Sequence, residues 1–165
     1  MITCRRAETN DVDLFKKIRM RALRDSPDAF CATYEAALKR TEDSWREQLH
    51  STVSGCDRNT QLAFDGDSCV GIAALFREPK SPTGDIIMMW IDPIHRGSVA
   101  ATLLVAKLIK WAREFGFESV ALNVTDTNTR AIKFYQNQGF IPTGNAVDID
   151  SERGLRGIRM AMQLN

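Results

Sequence analysis

The stretch from Asp85 to Val124 limits the possible folds more than any other part of this chain. It opens with DIIMMWID (85–92), apolar at every position between two aspartates, the pattern of a strand covered on both faces. Pro93 stops that strand. An amphipathic helix over about 98–115 follows, with Leu104, Leu108, Trp111 and Phe115 on one face and Lys107, Lys110 and Glu114 toward water. Gly116 caps the helix, and SVALNV (119–124) reads as a second strand. Strand, helix, strand in this order is a crossover, so the two strands run parallel. The expected class is α/β, a mixed sheet with helices on both faces.

The remaining elements fit around that unit. ITCRRA (2–7) alternates as a short strand. The capping cluster Thr9-Asn10-Asp11 precedes a helix that spaces Leu14, Ile18, Arg21/Ala22 and Asp25 on one face and ends at Ser26-Pro27-Asp28. A more polar helix is expected over roughly 34–50, and TQLAFDGDSCVGIAALF (60–76) reads as a hairpin turning at Asp65-Gly66. TRAIKFYQNQ (129–138) is a helix ended by Gly139, and a polar loop at 144–155 leads to a last strand, GIRMAMQL (157–164). With no repeat or low-complexity segment, residues 1–165 are expected to form one domain.

Charge excludes some functions. Lys and Arg (22) nearly balance Asp and Glu (21), and no basic stripe interleaves with aromatics, so nucleic acid is not an expected partner. No apolar run reaches membrane-spanning length, and no signal-peptide pattern opens the chain. Cys4, Cys31, Cys56 and Cys69 are scattered without metal-ligand spacing, so no metal is expected. Three of these cysteines have apolar neighbours, which suits reduced core thiols in a cytoplasmic protein without a membrane partner.

Chemistry concentrates in two short stretches. HRGSVAATLL (95–104) runs from the buried strand into the first turn of the helix, where unpaired N–H groups and the helix dipole favour an anion. Arg96 adds a guanidinium fork that suits phosphate. In NTRAIKFY (128–135), Asn128, Ala131, Ile132 and Tyr135 share one helical face; Asn128 also reads as a helix cap, and Tyr135 as a core-edge aromatic. A tyrosine of ordinary acidity, near ~10, is protonated at neutral pH and can donate a proton.

At this spacing the two stretches resemble the acyl-CoA-binding core of the GCN5-related N-acetyltransferase (GNAT) superfamily over residues 84–142. The second motif, N-x-x-A-x-x-F/L-Y-x-x-x-G-F, is complete in Asn128, Ala131, Phe134, Tyr135, Gly139 and Phe140. The first, Q/R-x-x-G-x-G/A, keeps Arg96 and Ala101 but has Val99 for its first glycine. Upstream, IRMRALRDSPDAFCATYEAAL (18–38) resembles the two-helix acceptor-side segment of a bacterial branch of small GNAT enzymes, and RMAMQL (159–164) resembles that branch's last strand.

The resemblance implies a mostly antiparallel mixed sheet with a central, splayed parallel pair. It implies acetyl-CoA as acyl donor, with no metal, and a small-molecule or peptide amine as acceptor, which attacks the thioester directly in a ternary complex on a monomer or homodimer. Backbone groups of Met89, Trp90 and Ile91 then pair with the pantetheine arm, and the turn of Arg96, Gly97, Ser98, Val99, Ala100, Ala101 and Thr102 surrounds the pyrophosphate. Asn128 and Ala131 lie against the cofactor, and Tyr135 protonates the departing thiolate as general acid. The general base stays open among Asp85, Glu35, Glu78 and water; His95 and the acidic run 148–152 read as solvated surface. Val99 motivates an alternative, a GNAT-fold sensor or interaction module with weak or no CoA binding. If its side chain crowds the phosphates at a cost of ~1–3 kcal/mol, Val99→Gly tightens acetyl-CoA.

Overall fold

The computed structural model describes residues 1–165, and no helix in it is long and apolar enough to cross a membrane. β1 (Ile2–Arg6) is followed by α1 (Val12–Asp25), α2 (Tyr34–Leu38) and α3 (Glu42–His50). β2 (Arg58–Asp65), β3 (Ser68–Phe76) and β4 (Thr83–Ile91) form consecutive hairpins before α4 (Ala100–Glu114) and β5 (Ser119–Thr125). α5 (Thr129–Asn137) leads to the closing hairpin of β6 (Ile141–Asp150) and β7 (Leu155–Gln163). The sheet order is β1-β2-β3-β4-β5-β7-β6. Every pairing is antiparallel except β4 with β5, the crossover that the sequence demands.

Two apolar layers sandwich the sheet. α4 buries Leu104, Leu108 and Trp111 with Ile86, Val120, Tyr135 and Met160. α1, α2 and α3 bury Phe15, Ile18 and Trp45 with Leu62, Ile72, Met88 and Trp90 in a second cluster. A change of parity in β4 lets that strand feed both layers. Ile87 pairs with Ala74 and Trp90 with Ile72, so three β4 steps oppose two on β3. Met88 absorbs the extra residue with a left-handed backbone, φ 58°. Ile86 therefore joins the α4 layer, while Met88 and Trp90 join the α1 layer.

The parallel pair is brief. Only Thr83–Asp85 align with Ser119–Ala121, pinned by a 2.6 Å hydrogen bond between the Thr83 and Ser119 hydroxyls. Gly84 sits inside this ladder, and a Cβ there would lie 2.7 Å from Phe117 Cδ2. Gly84→Ala is expected to cost ~1–3 kcal/mol through overpacking, read as a lower denaturation midpoint at unchanged m-value.

Several local expectations are corrected. The helix expected over 34–50 is two, because Thr41 caps a new start by accepting a hydrogen bond from Ser44 N–H at 3.1 Å. The buried face of α1 is Phe15, Ile18, Arg19, Ala22 and Leu23, with Leu14 half-buried and Arg21 and Asp25 at the surface. Phe115 is 42% exposed, and Phe117, beyond the Gly116 turn, takes the core place expected for it. The polar segment beginning at Gly144 is strand, not loop, as far as Asp150. It hides its pattern because it is an edge strand exposed on both faces, where Pro142 is tolerated. Two of the cysteines are not core thiols: Cys31 and Cys56 are exposed, while Cys4 and Cys69 are half-buried and pack against the two core layers.

Candidate active site

Beyond Asp85, β4 and β5 part, and the gap opens into a cleft of about 1130 Å³. One wall is β4 itself, from Asp85 through Met89, Trp90 and Ile91. Arg96, Gly97 and Ser98 of the turn continue the lining into Ala101 and Thr102 at the head of α4. Asn128, Ala131 and Tyr135 line it from α5. The side chains of Val99 and Ala100 are absent from its lining: Val99 is 58% exposed to solvent, and Ala100, the first residue of α4, is fully buried.

The turn has the electrostatics of an anion site. The N–H groups of Gly97, Val99, Ala101 and Thr102 have no protein acceptor. The Ser98 amide is spent on the His95 carbonyl at 3.1 Å, and the Ala100 amide on Ser98 Oγ at 3.2 Å. Gly97 makes the bend possible with φ 85°, a left-handed backbone that side-chain-bearing residues rarely adopt. The open amides and the positive end of α4 thus meet at one point.

The Arg96 guanidinium is engaged elsewhere. It donates to the Asp25 carboxylate and, through Nε, to the Ile91 carbonyl at 3.1 Å. Asp25 also accepts from Trp90 Nε1 at 3.0 Å, and Arg21 of α1 pairs with Asp92. Partial burial opposes the charge on Asp25, but hydrogen bonds from Ser26, Trp90 and Arg96 outweigh it and hold the carboxyl below its ordinary range. These contacts bolt the end of α1 to the turn. The cation beside the turn is Arg130, whose Nη2 lies 3.7 Å from where a Gly97 Cβ would stand. Its place in NTRAIKFY, one helical turn before the motif's aromatic pair, was the available signal for it.

Asn128 acts as the cap of α5, its Oδ1 accepting from Ala131 N–H at 3.2 Å. Tyr135 is 6% exposed, edge-on to Phe134 and Phe140. Burial pushes its phenol well above the ordinary value, so the hydroxyl stays protonated throughout the neutral and mildly alkaline range. Asp85 is paired with Arg159 at 2.8 Å, and Arg159 also donates to Asn123 Oδ1 at 3.0 Å. Glu35 and Glu78 are exposed and lie outside the cleft lining. His95 is half-buried at the cleft, with Nε2 3.4 Å from Asp65 Oδ2, where the sequence suggested an exposed side chain.

Known proteins share this fold. A family model described as the acetyltransferase (GNAT) family matches residues 20–140. A GNAT-family acetyltransferase from Streptococcus pneumoniae superimposes with a TM-score of 0.85 at 21% identity, covering 100% of both chains. YncA from Salmonella typhimurium, solved with its cofactor acetyl-CoA, gives a TM-score of 0.77 at 19% identity over 100% of this chain and 95% of its own. The mycothiol acetyltransferase of Propionibacterium freudenreichii is 24% identical over 131 residues, 79% of this chain; the chain spans only 40% of that relative's length. The family match takes in the splayed strands, the turn and the α5 motif together, and the chain belongs to the GNAT acetyltransferase family.

Proposed function

We propose that this chain is an N-acyltransferase that moves an acetyl group from acetyl-CoA to a primary amine by direct attack within a ternary complex. The observation that carries the reading is the set of unpartnered amides at the head of α4, opening on a cleft beside an unpaired strand edge. The residues present fit the donor: Gly97, Val99, Ala101 and Thr102 offer N–H groups to a pyrophosphate, with Arg130 as the adjacent cation. Met89 to Ile91 run along β4 where it has lost its parallel partner, leaving backbone groups for an amide-bearing arm. When bound, acetyl-CoA supplies the acyl group as a thioester. Tyr135 holds its proton at Oη for the departing sulfur. Asp85, already paired with Arg159, is proposed to hold charge at the acceptor end, and ordered water is the other route for the amine proton. We take residues 1–165 as one such domain, acting in the cytoplasm.

Calorimetric titration with acetyl-CoA and desulfo-CoA, followed by thiol-release assays on primary amines, tests the reading. Saturable binding and amine-dependent thiol release are expected; no binding at millimolar acetyl-CoA refutes it. The solvent-exposed side chain of Val99, outside the cleft lining, supports the catalytic reading over a sensor or interaction module with weak or no CoA binding. Val99→Gly is now expected to change acetyl-CoA affinity by less than about twofold by calorimetry, since glycine at a helix start costs only a few tenths of a kcal/mol.

A further inference from the structure

Arg19 is anomalous among the arginines of this protein. It lies on the apolar face of α1 beside Phe15, Ile18, Ala22 and Leu23 and is 6% exposed. It makes no ion pair, and its buried Nη1 has no hydrogen-bond partner. The Phe30 ring lies 5.0 Å from the guanidinium carbon. The charge that acts on it is another cation, Arg40; burial first and that repulsion second push Arg19 down to about 10. A buried, unpaired charge is costly, and elsewhere in this chain Arg5, Arg21, Arg77, Arg96 and Arg153 each have a carboxylate.

Arg19 lines the cleft together with Phe30 and Met88. Gln48 of α3 joins them, with Oε1 buried and unpartnered and Nε2 spent only on a 3.9 Å contact with Met88 Sδ. This wall, made by α1, α3 and the bulge of β4, is distinct from the phosphate turn. We propose that Arg19 receives a carboxylate carried by the acceptor amine, so that the acceptor class is an amino acid or a peptide with a free carboxylate close to the amine. The proposal rests on the N-acyltransferase reading. The planar fork of Arg19 matches a carboxylate, and a ligand that supplies one pairs the charge that the protein leaves unpaired. The Gln48 carbonyl then offers an acceptor for the ammonium or amine N–H of the same molecule.

The test compares amino acids and dipeptides with their C-terminal amides, in which the amine is kept and the negative charge removed. In thiol-release assays at fixed acetyl-CoA, kcat/KM is expected to favour the acids by about tenfold or more. Arg19→Gln brings that ratio to about one, Arg19→Lys retains part of it, and acetyl-CoA affinity changes less than about twofold in both. Arg19→Gln also holds or raises the melting temperature, because it removes an unpaired buried charge; a purely packing role predicts a fall. Equal use of acids and amides by the wild type, or an acid preference that survives Arg19→Gln, overturns the proposal. So does preferential use of amines without a carboxylate. If acetyl-CoA does not bind, the acyltransferase reading fails by itself. Thermal shift without donor then decides the Arg19 claim: stabilisation by acids, absent in Arg19→Gln, supports it, and no stabilisation of the wild type by any acid overturns it.

Discussion

Tyr135→Phe is expected to lower kcat by about 10²-fold while leaving the Kd for acetyl-CoA unchanged. The substitution removes one oxygen and keeps the ring that packs against Phe134 and Phe140, so the fold has no reason to respond. Stopped assays of turnover, beside calorimetry with acetyl-CoA, separate the two quantities. A rate equal to the wild type would make Tyr135 a core aromatic and nothing more. The pH dependence carries a second check. The active form is the protonated phenol, and burial raises its pKa, so this group contributes no falling limb as pH rises toward about 10. A wild-type alkaline limb below pH ~9 that vanished in Tyr135→Phe would contradict the burial argument.

Thr102→Glu is expected to weaken acetyl-CoA by about 100-fold or more without unfolding the protein. Thr102 is exposed, lines the cleft and contributes one of the open amides at the head of α4. A carboxylate there occupies the same positive field that a pyrophosphate would use. Two like charges about 4 Å apart near a protein surface repel by up to ~4 kcal/mol, against the roughly 2.7 kcal/mol that a 100-fold loss represents. An acid in the first helical turn is itself stabilising by ~0.3–1 kcal/mol. Binding should thus fall while the melting temperature holds or rises, a combination that general damage does not produce. An unaltered Kd would place the anion elsewhere.

The backbone of the site was legible in the sequence because backbone geometry leaves periodic traces. The apolar run 85–92, the helix behind Arg96-Gly97 and the α5 motif required the strand, turn and helix that the fold contains. Side-chain allegiance was less visible. Arg96 reads as a phosphate ligand until the Asp25 carboxylate, 71 residues away in sequence, is found taking it. Val99 reads as an obstruction until its helix-start conformation turns it to solvent. The bulge at Met88 has no local signature, since methionine is not a residue that favours a positive φ. Arg19 had a trace: a charged residue between the apolar positions Phe15, Ile18, Ala22 and Leu23 on one helical face. The spacing of Leu14, Ile18 and Asp25 marks a face displaced by about one residue from the buried one, and on that face Arg19 does not stand out.

The brevity of the β4–β5 ladder has a consequence for self-association. An unpaired strand edge is where one sheet recruits a strand from another molecule. β6, at the outer end of this sheet, is blunted by Pro142 and by register shifts against β7. The inner edge of β4 past Asp85 has the bulge at Met88 but no proline, and its sequence through Met89, Trp90 and Ile91 is among the most apolar in the chain. Its protection is enclosure: α5, the head of α4 and the segment 29–32 surround it. A second sheet is too broad to enter that space, whereas a single narrow, flexible chain can run along the strand. The same splay that makes room for a ligand therefore keeps a sticky edge inside a protein that would otherwise display it.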